Sequence, residues 1–425
     1  MRKNRPGARA LALQYLRAQA GWSQKDLAER MGLKDVKQIS RYENGSKSLR
    51  LERLHALAAA AGSTAEAVEI LLVVHELIAS ASAASSPMER RRQRAALAVG
   101  AAVAEQVRRA LAGARREVEG KAERARAEGF WERLKRGAPE ERRQAVCTFP
   151  EYGSWALAVR ACEASIRAAA NRPGEALELA ELALEIARRV PGDSGWRSRV
   201  EGFCWAHVGN ARRVANDLAG ANTAFSQAWA LWKRADSSSL DSQIPEWRML
   251  DLEASLRRAE CRFAEALELL TKARAGAGNE PKATARILLN REHILMQMGD
   301  LESAFAALVE AAPLVEASGD RRLFFSLRFK TANNLVQLGD ADQAFDLLAE
   351  IRDLAVRQAN ELDLIRVTWL EGRIRAGQGR RGEAIPAFEQ VSHHFTSLEM
   401  PYDAALASLD LAIVYLQEGR HREVM

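Results

Sequence analysis

A short pattern recurs through the second part of the chain and constrains the fold more than any other feature. It begins with Asn, Cys or Gly and ends, five residues later, on Ala or, in the last copy, Val. Its final position falls at 176, 221, 266, 304, 344, 384 and 424, which gives steps of 45, 45, 38, 40, 40 and 40 residues. Such a regular step indicates a repeat architecture in which each unit covers the apolar face of its neighbour. An ordinary helical bundle does not explain it.

Each repeat is predicted to hold two helices. The bias toward Ala, Leu, Glu and Arg, with only 11 prolines, favours helix over sheet. The first helix, such as Lys330–Leu338, ends at a Gly turn, and the second, such as Gln343–Ala355, begins just after it. Small residues recur twelve positions before the final position, and Glu292 interrupts their series, whose members are Gly209, Ala254, Ala332, Gly372 and Ala412. The sequence therefore predicts an all-α fold.

These features resemble the tetratricopeptide (TPR) family, in which small residues stand where helices cross and a large apolar residue follows the final position. The step of about 40 exceeds the usual 34, so longer helices or loops are expected. The resemblance implies an α-solenoid of TPR-like helical hairpins over residues 149–425. The last repeat is incomplete in this sequence, which predicts an end that is truncated or covered by a partner.

A TPR-like array offers a concave groove lined by the first helix of each repeat. By position in the repeat, Asn and Arg side chains are expected there. Asn offers a donor and an acceptor to a peptide backbone, and Arg holds carboxylates. The candidate residues for a peptide or protein effector are Asn210, Arg213, Arg258, His293, Asn333 and Arg373.

The first 62 residues form a separate, basic unit. Residues 1–60 hold 13 Lys and Arg against 5 Asp and Glu. Glycines 21, 32, 45 and 62 separate four predicted short helices, and Ser23 is a plausible N-cap of the second. Those helices are Ala8–Ala20, Gln24–Met31, Val36–Asn44 and Leu51–Ala61.

Two segments make this unit recognisable, Trp22-Ser-Gln-Lys-Asp-Leu-Ala-Glu-Arg-Met-Gly-Leu and Gln38-Ile-Ser-Arg-Tyr-Glu-Asn-Gly. They resemble the Cro/C1 (XRE-type), lambda-repressor-like helix-turn-helix family of DNA-binding regulators. The turn Leu33–Val36 is longer than usual, which leaves the start of the recognition helix open. The resemblance implies base contacts from the start of that helix and phosphate contacts around it. On this basis the DNA-binding candidates are Gln24, Val36, Lys37, Gln38, Arg41, Asn44, Lys47 and Arg50.

Residues 63–148 are predicted to be a helical connector. A helical run, Ala65–Ile78, precedes a linker rich in small residues at 79–87. A basic stretch, Glu89–Arg94, then opens a long amphipathic helical segment that reaches about residue 134. One interpretation is a solvated connector that packs on the next domain. The alternative is a dimerisation element or an extension of the DNA contact.

Charge is divided along the chain. Residues 1–143 carry a net +12, whereas residues 144–425 carry 33 basic against 39 acidic side chains. The basic front predicts double-stranded DNA as a partner, and the acidic array predicts a different one. No apolar run reaches bilayer length, and the four scattered cysteines suit reduced thiols of a cytoplasmic protein.

No sequence motif for catalysis, phosphate binding or metal binding is present. We therefore expect no enzyme, cofactor or metal site. The sequence predicts a sequence-specific DNA-binding transcriptional regulator, acting as a homodimer in the cytoplasm on the nucleoid, whose array senses an effector. The alternative is a TPR scaffold or antitoxin-like adaptor whose main role is to bind a protein partner.

Overall fold

Two compact units make up the computed structural model, Met1–Arg126 and Ala127–Met425. The structure describes residues 7–33, 35–61, 63, 65–81, 106, 115, 117–169, 172–234, 243–358, 361–398 and 400–423. Throughout these ranges the regular elements are helices, which confirms the all-α prediction.

Five helices between residues 8 and 81 of the first unit share one apolar core. Leu13, Leu27, Ile39 and Leu54 are fully buried in one cluster, and Val68 of the fifth helix joins them. The packing of this unit therefore extends past residue 62. The helices are α1 (Ala8–Gln19), α2 (Gln24–Arg30), α3 (Lys37–Glu43), α4 (Leu51–Ala60) and α5 (Ala65–Ala81), so each predicted end of the first four lies within one residue of the observed one.

The predicted connector is described only at its two ends. Helix α5 continues three residues past the predicted Ile78, and a helix, α6, occupies 117–134. The basic stretch Glu89–Arg94 and most of the predicted linker lie outside the described residues. Val118, an apolar residue of the segment predicted to be amphipathic, is 66% exposed.

The second unit is a series of antiparallel helical hairpins. After α6, helix α7 (Pro139–Thr148) and a 3-10 turn (Pro150–Tyr152) precede the repeats. The repeat helices are α8 (Trp155–Ala168), α9 (Pro173–Ala187), α10 (Ser194–Val214), α11 (Leu218–Arg234), α12 (Glu246–Ala259), α13 (Phe263–Ala277), α14 (Pro281–Met298), α15 (Leu301–Ser318), α16 (Arg321–Gln337), α17 (Ala341–Gln358), α18 (Glu361–Gly377), α19 (Arg381–Ser397) and α20 (Pro401–Gln417), and a 3-10 turn (His421–Glu423) follows.

Each hairpin packs on the next, which confirms the predicted solenoid of TPR-like hairpins. The even-numbered helices from α8 to α20 are the first helices, and neighbouring ones contact one another directly. Contact between successive first helices places them in the inner layer of the array. The helices exceed the predicted ones, since α16 begins nine residues before Lys330 and α17 reaches three residues past Ala355. Longer helices account for the long step.

Backbone conformation explains the first residue of the recurring pattern. Gly299, Gly339 and Gly379 occupy the left-handed region with φ of 80°, 87° and 76°, and the turn between paired helices depends on it. Asn216 adopts φ of 63° there, which Asn tolerates. Cys261 has φ of 59° at the equivalent position, although Cys has no such tolerance.

Candidate nucleic-acid interface and effector groove

Local hydrogen bonds fix where the recognition helix begins. Ser23 and Asp26 form a capping box at the start of α2, with Ser23 Oγ accepting from the Asp26 amide at 3.1 Å. These bonds lower the pKa of Asp26. Asp35 Oδ1 accepts from the amide of Lys37 at 2.9 Å, and α3 starts at that residue. The start that the sequence left open is therefore Lys37, with Val36 just before it.

The outward face of α3 carries two unpaired cations. Lys37 and Arg41 are both exposed and lie one helical turn apart. No ion pair joins either of them to an acid in the described part of the chain. Val36 beside them is 39% exposed, whereas Gln38 is half-buried. A guanidinium and an ammonium held this way can reach base edges in a major groove.

A buried carboxylate, which sequence reasoning missed, ties the helices of this unit together. Glu43, at the end of α3, is 6% exposed. Its Oε1 accepts from Arg17 Nε at 2.5 Å and its Oε2 accepts from Gln24 Nε2 at 2.6 Å. Its backbone carbonyl accepts from Gln14 Nε2 at 2.6 Å. Gln24, predicted as a phosphate contact, therefore also holds α2 to α3.

The remaining predicted DNA contacts follow α3 on the exposed loop. Asn44, Lys47 and Arg50 are all exposed. Asn44 Oδ1 accepts from the amide of Ser46 at 3.0 Å, and Lys47 Nζ lies 5.1 Å from the centre of the Tyr42 ring. The structure thus brings the predicted residues to one end of α2, to α3 and to the loop that follows it.

The predicted groove residues of the array differ in their exposure and in their hydrogen-bond partners. Asn210 is only 3% exposed, and its Oδ1 accepts from Arg213 Nη2 at 3.0 Å. Asn210 thus holds Arg213 in place. Burial, and then repulsion by Arg258, lowers the pKa of Arg213 to about 10.

Arg258 and His293 meet between α12 and α14. Arg258 Nη1 lies 3.5 Å from His293 Nε2 and donates to Gln297 Oε1 at 3.3 Å. The charge of Lys330, then desolvation, then Arg258 and Arg213, hold the pKa of His293 well below its ordinary 6.5. The imidazole is therefore neutral near pH 7.

Farther along the groove, Asn333 and Arg373 join a polar network. Arg373 donates from Nη1 to Asn333 Oδ1 at 3.2 Å and from Nε to Asp410 Oδ2 at 2.7 Å. Its guanidinium carbon lies 4.5 Å from the Trp369 ring centre, and Trp369 Nε1 donates to Asp410 at 2.7 Å. Arg373 thus has a carboxylate partner, whereas Arg213 and Arg258 have none in the part of the array that the structure describes.

Two further arginines on the inner layer were not predicted. Arg248 and Arg286 both stand 18 residues before the final position of their repeats, as Arg366 does, and that recurrence was the available signal. Arg248 pairs with buried Asp251 at 2.5 Å, and burial followed by repulsion from Arg286 lowers its pKa to about 10. Arg286 is half-buried and has no hydrogen bond or ion pair within the described ranges.

The described residues include neither a metal-binding cluster nor a membrane-spanning helix. They contain no group of three or more His, Cys, Asp or Glu side chains placed to hold a metal ion. None of their helices is both long enough and apolar enough to cross a bilayer.

Several solved structures are similar to the chain at low identity. A Rap protein complexed with competence and sporulation factor has 13% identity and a TM-score of 0.48 over 63% of this chain and 73% of that one. Aspartyl phosphate phosphatase F from Bacillus subtilis has 12% identity and a TM-score of 0.48, covering 98% and 90%. A signal transduction ATPase of the STAND type with a tetratricopeptide repeat sensor, from Pyrococcus horikoshii, has 13% identity and a TM-score of 0.46, covering 90% and 52%.

The comparison with curated proteins gave no match. The assignment of the array to TPR-like hairpins rests on its own helices and their packing. Residues 13–67 match the helix-turn-helix family model, a span that covers α2, α3 and α4. These residues therefore form a helix-turn-helix domain, as the Cro/C1-type motifs predicted.

Proposed function

We propose that the protein is a sequence-specific DNA-binding transcriptional regulator whose TPR-like array binds a peptide or protein effector. The observation that carries the proposal is the outward face of α3, where Lys37 and Arg41 are exposed without an acidic partner among the described residues. Arg41 is suited to bidentate contact with guanine, and Lys47 and Arg50 to phosphates.

The effector role is supported by the chemistry of the inner layer of the array. Its first helices present guanidinium groups and amides from successive repeats, and Arg213 and Arg258 have no carboxylate partner in the described part of the chain. Side chains of this kind bind peptide carbonyls and carboxylates.

Self-association is the third part of the proposal. Helix-turn-helix regulators bind paired half-sites about one helical turn apart, which requires two heads. The protein would act as a homodimer on the nucleoid, with residues 63–148 as the candidate contact. Effector binding would then change operator affinity by shifting the population of dimer geometries. Light scattering on the purified chain tests this step, and a monomer at all concentrations that bind DNA contradicts it.

DNA binding is tested with a randomised duplex pool. The purified full chain should enrich one motif after several rounds of selection, and its affinity for that motif should fall steeply with salt. Fluorescence anisotropy then compares variants on the enriched duplex. Arg41→Ala should lose about 1–3 kcal/mol and relax the preference at one base pair, whereas Lys47→Ala should weaken binding to all sequences alike.

The matched control is Arg30→Gln, which removes a positive charge from the far end of α2, where Arg30 stacks on Trp22 at 4.4 Å. This variant should bind the enriched duplex as the unaltered protein does. Equal losses of binding affinity in the Arg30 and Arg41 variants, or the absence of an enriched motif, would contradict the proposal that α3 reads the DNA sequence.

A further inference from the structure

Three arginines on the inner layer of the array lack an acidic partner among the described residues. The array as a whole is acidic, with 33 basic and 39 acidic side chains over 144–425. Arg213 on α10, Arg258 on α12 and Arg286 on α14 nevertheless make no ion pair within the described residues. Neighbouring inner cations are neutralised, because Arg248 pairs with Asp251 and Lys330 pairs with Glu292, both at 2.5 Å. Positive charge is therefore left over on one part of the groove.

Leaving these arginines without a carboxylate costs free energy in the unliganded protein. Each is partly buried, and Arg258 and Arg213, which stand at equivalent positions of successive repeats, repel each other. Arg286 stands beside Arg248 instead and repels it, and burial lowers the pKa of Arg258. Anionic groups that accept hydrogen bonds from these guanidinium groups would relieve both costs, so this part of the groove is suited to a ligand with more than one carboxylate.

The last helix supplies an apolar wall to the same groove. Tyr402, Leu409, Ile413 and Leu416 follow one face of α20 and are 71%, 56%, 44% and 50% exposed. Asp410 on the same helix accepts from Trp369 and Arg373 of the inner layer, so α20 lines the groove, and Tyr402 acts on the pKa of Arg258. An occupant of the groove would meet guanidinium groups on α10, α12 and α14 and these apolar side chains on α20.

We propose that the occupant is an acidic peptide with interspersed apolar side chains, its carboxylates bound by Arg213, Arg258 and Arg286 and its apolar residues lying against Leu409 and Ile413. This inference rests on the proposed effector-binding function and specifies its ligand. Guanidinium forks match carboxylates in shape as well as charge. A nucleic acid strand would leave the α20 wall uncovered and would be repelled by the acidic remainder of the array.

The test uses the full chain and three pools of fluorescein-labelled eight-residue peptides. All pools contain Leu and Ile, combined with Asp and Glu, with Asn and Gln, or with Lys and Arg. Anisotropy titration should show the tightest binding for the acidic pool. Because a charge-assisted hydrogen bond is worth about 1.5–3 kcal/mol, Arg286→Gln should weaken that binding about tenfold or more, and R213Q/R258Q/R286Q should abolish it at micromolar protein.

The control variant K233Q/R234Q/K272Q removes three positive charges from exposed positions on the second helices α11 and α13. It should bind the acidic pool as the unaltered chain does, and circular dichroism checks that every variant folds. Arg286 has no internal hydrogen bond to lose, so its single variant keeps the test valid if the triple variant is unstable.

Each outcome decides a different claim. Preference for the neutral or basic pool, or an undiminished affinity of the Arg286 variant for the acidic pool, overturns the acidic-peptide inference and leaves the effector function standing. Binding of no pool overturns the inference and the peptide-effector role together, while the duplex selection still decides DNA binding independently.

Discussion

Where the two helices of a repeat cross, the size of the side chain on the first helix limits the size of the side chain on the second. We call this relation the size rule, and a double-mutant cycle can test it. Where the first helix carries Gly, the residue sixteen positions later is Phe, as at Gly209 with Phe225 and Gly372 with Phe388. In two repeats where it carries Ala, the later residue is Leu, as in the pairs Ala254 with Leu270 and Ala332 with Leu348. The structure explains the pairing at Gly372, because a Cβ there would lie 2.7 Å from Cε1 of the Phe388 ring.

The magnitude follows from that contact. Phe388 is 1% exposed, so its ring cannot swing into solvent, and Gly372→Ala overpacks the crossing at a cost of about 1–3 kcal/mol. Replacing Gly inside a helix returns about 0.5–1 kcal/mol. Phe388→Leu alone leaves a void that costs about 1–2 kcal/mol. The double variant recreates the Ala and Leu pair, so we expect it to be more stable than the sum of its parts by about 1–2 kcal/mol.

Hydrogen exchange read by mass spectrometry on α18 and α19 measures the local opening free energy without assuming two-state unfolding of the whole array. Gly382→Ala is the matched control, since Gly382 is helical and a Cβ there meets nothing within 4 Å. That variant should not speed exchange. Additive effects at 372 and 388, or faster exchange in the control than in Gly372→Ala, would refute the size rule.

Three further predictions concern stability. Cys261→Gly should stabilise the array by about 0.5–1 kcal/mol in thermal unfolding, because it relieves a non-glycine residue at φ of 59°. His207 is 2% exposed, neither ring nitrogen has a hydrogen-bond partner among the described residues, and burial followed by Arg248 and Arg286 holds its pKa well below 6.5. The unfolded chain therefore binds a proton that the folded one excludes, so stability should fall below pH 6.5 by up to about 1.4 kcal/mol per pH unit, and His207→Leu should reduce that slope in urea titrations. Glu43→Ala should destabilise the N-terminal unit by about 3–5 kcal/mol, because it leaves the partly buried guanidinium of Arg17 without its carboxylate partner. Thermal unfolding followed by circular dichroism should show the loss.

The sequence predicted most of the architecture because its periodic signals are local. Glycine stops fixed the ends of α1 to α4, and the recurring pattern fixed the register of the array. Contacts between different helices were harder to foresee. Glu292 interrupts the series of small residues, and the structure shows why: its buried carboxylate accepts from Lys330 Nζ at 2.5 Å and from Asn334 Nδ2 at 2.8 Å, both on the next first helix. Register places a residue on a helix face, but its partner depends on the neighbouring repeat.

Contacts within a hairpin and contacts between hairpins also differ in how readily a ligand could replace them. Within hairpins, apolar crossings such as Gly372 on Phe388 are tight and depend on shape. Between repeats, apolar packing continues, since Leu370 and Ile374 of α18 join the core of α16 and α17, and polar contacts such as Arg373 with Asp410 lie beside it on the inner layer. A ligand can replace a polar contact with another of similar free energy, whereas it cannot replace a close-packed crossing. We therefore predict that a groove ligand acts on the polar contacts between repeats and leaves the crossings within hairpins unchanged.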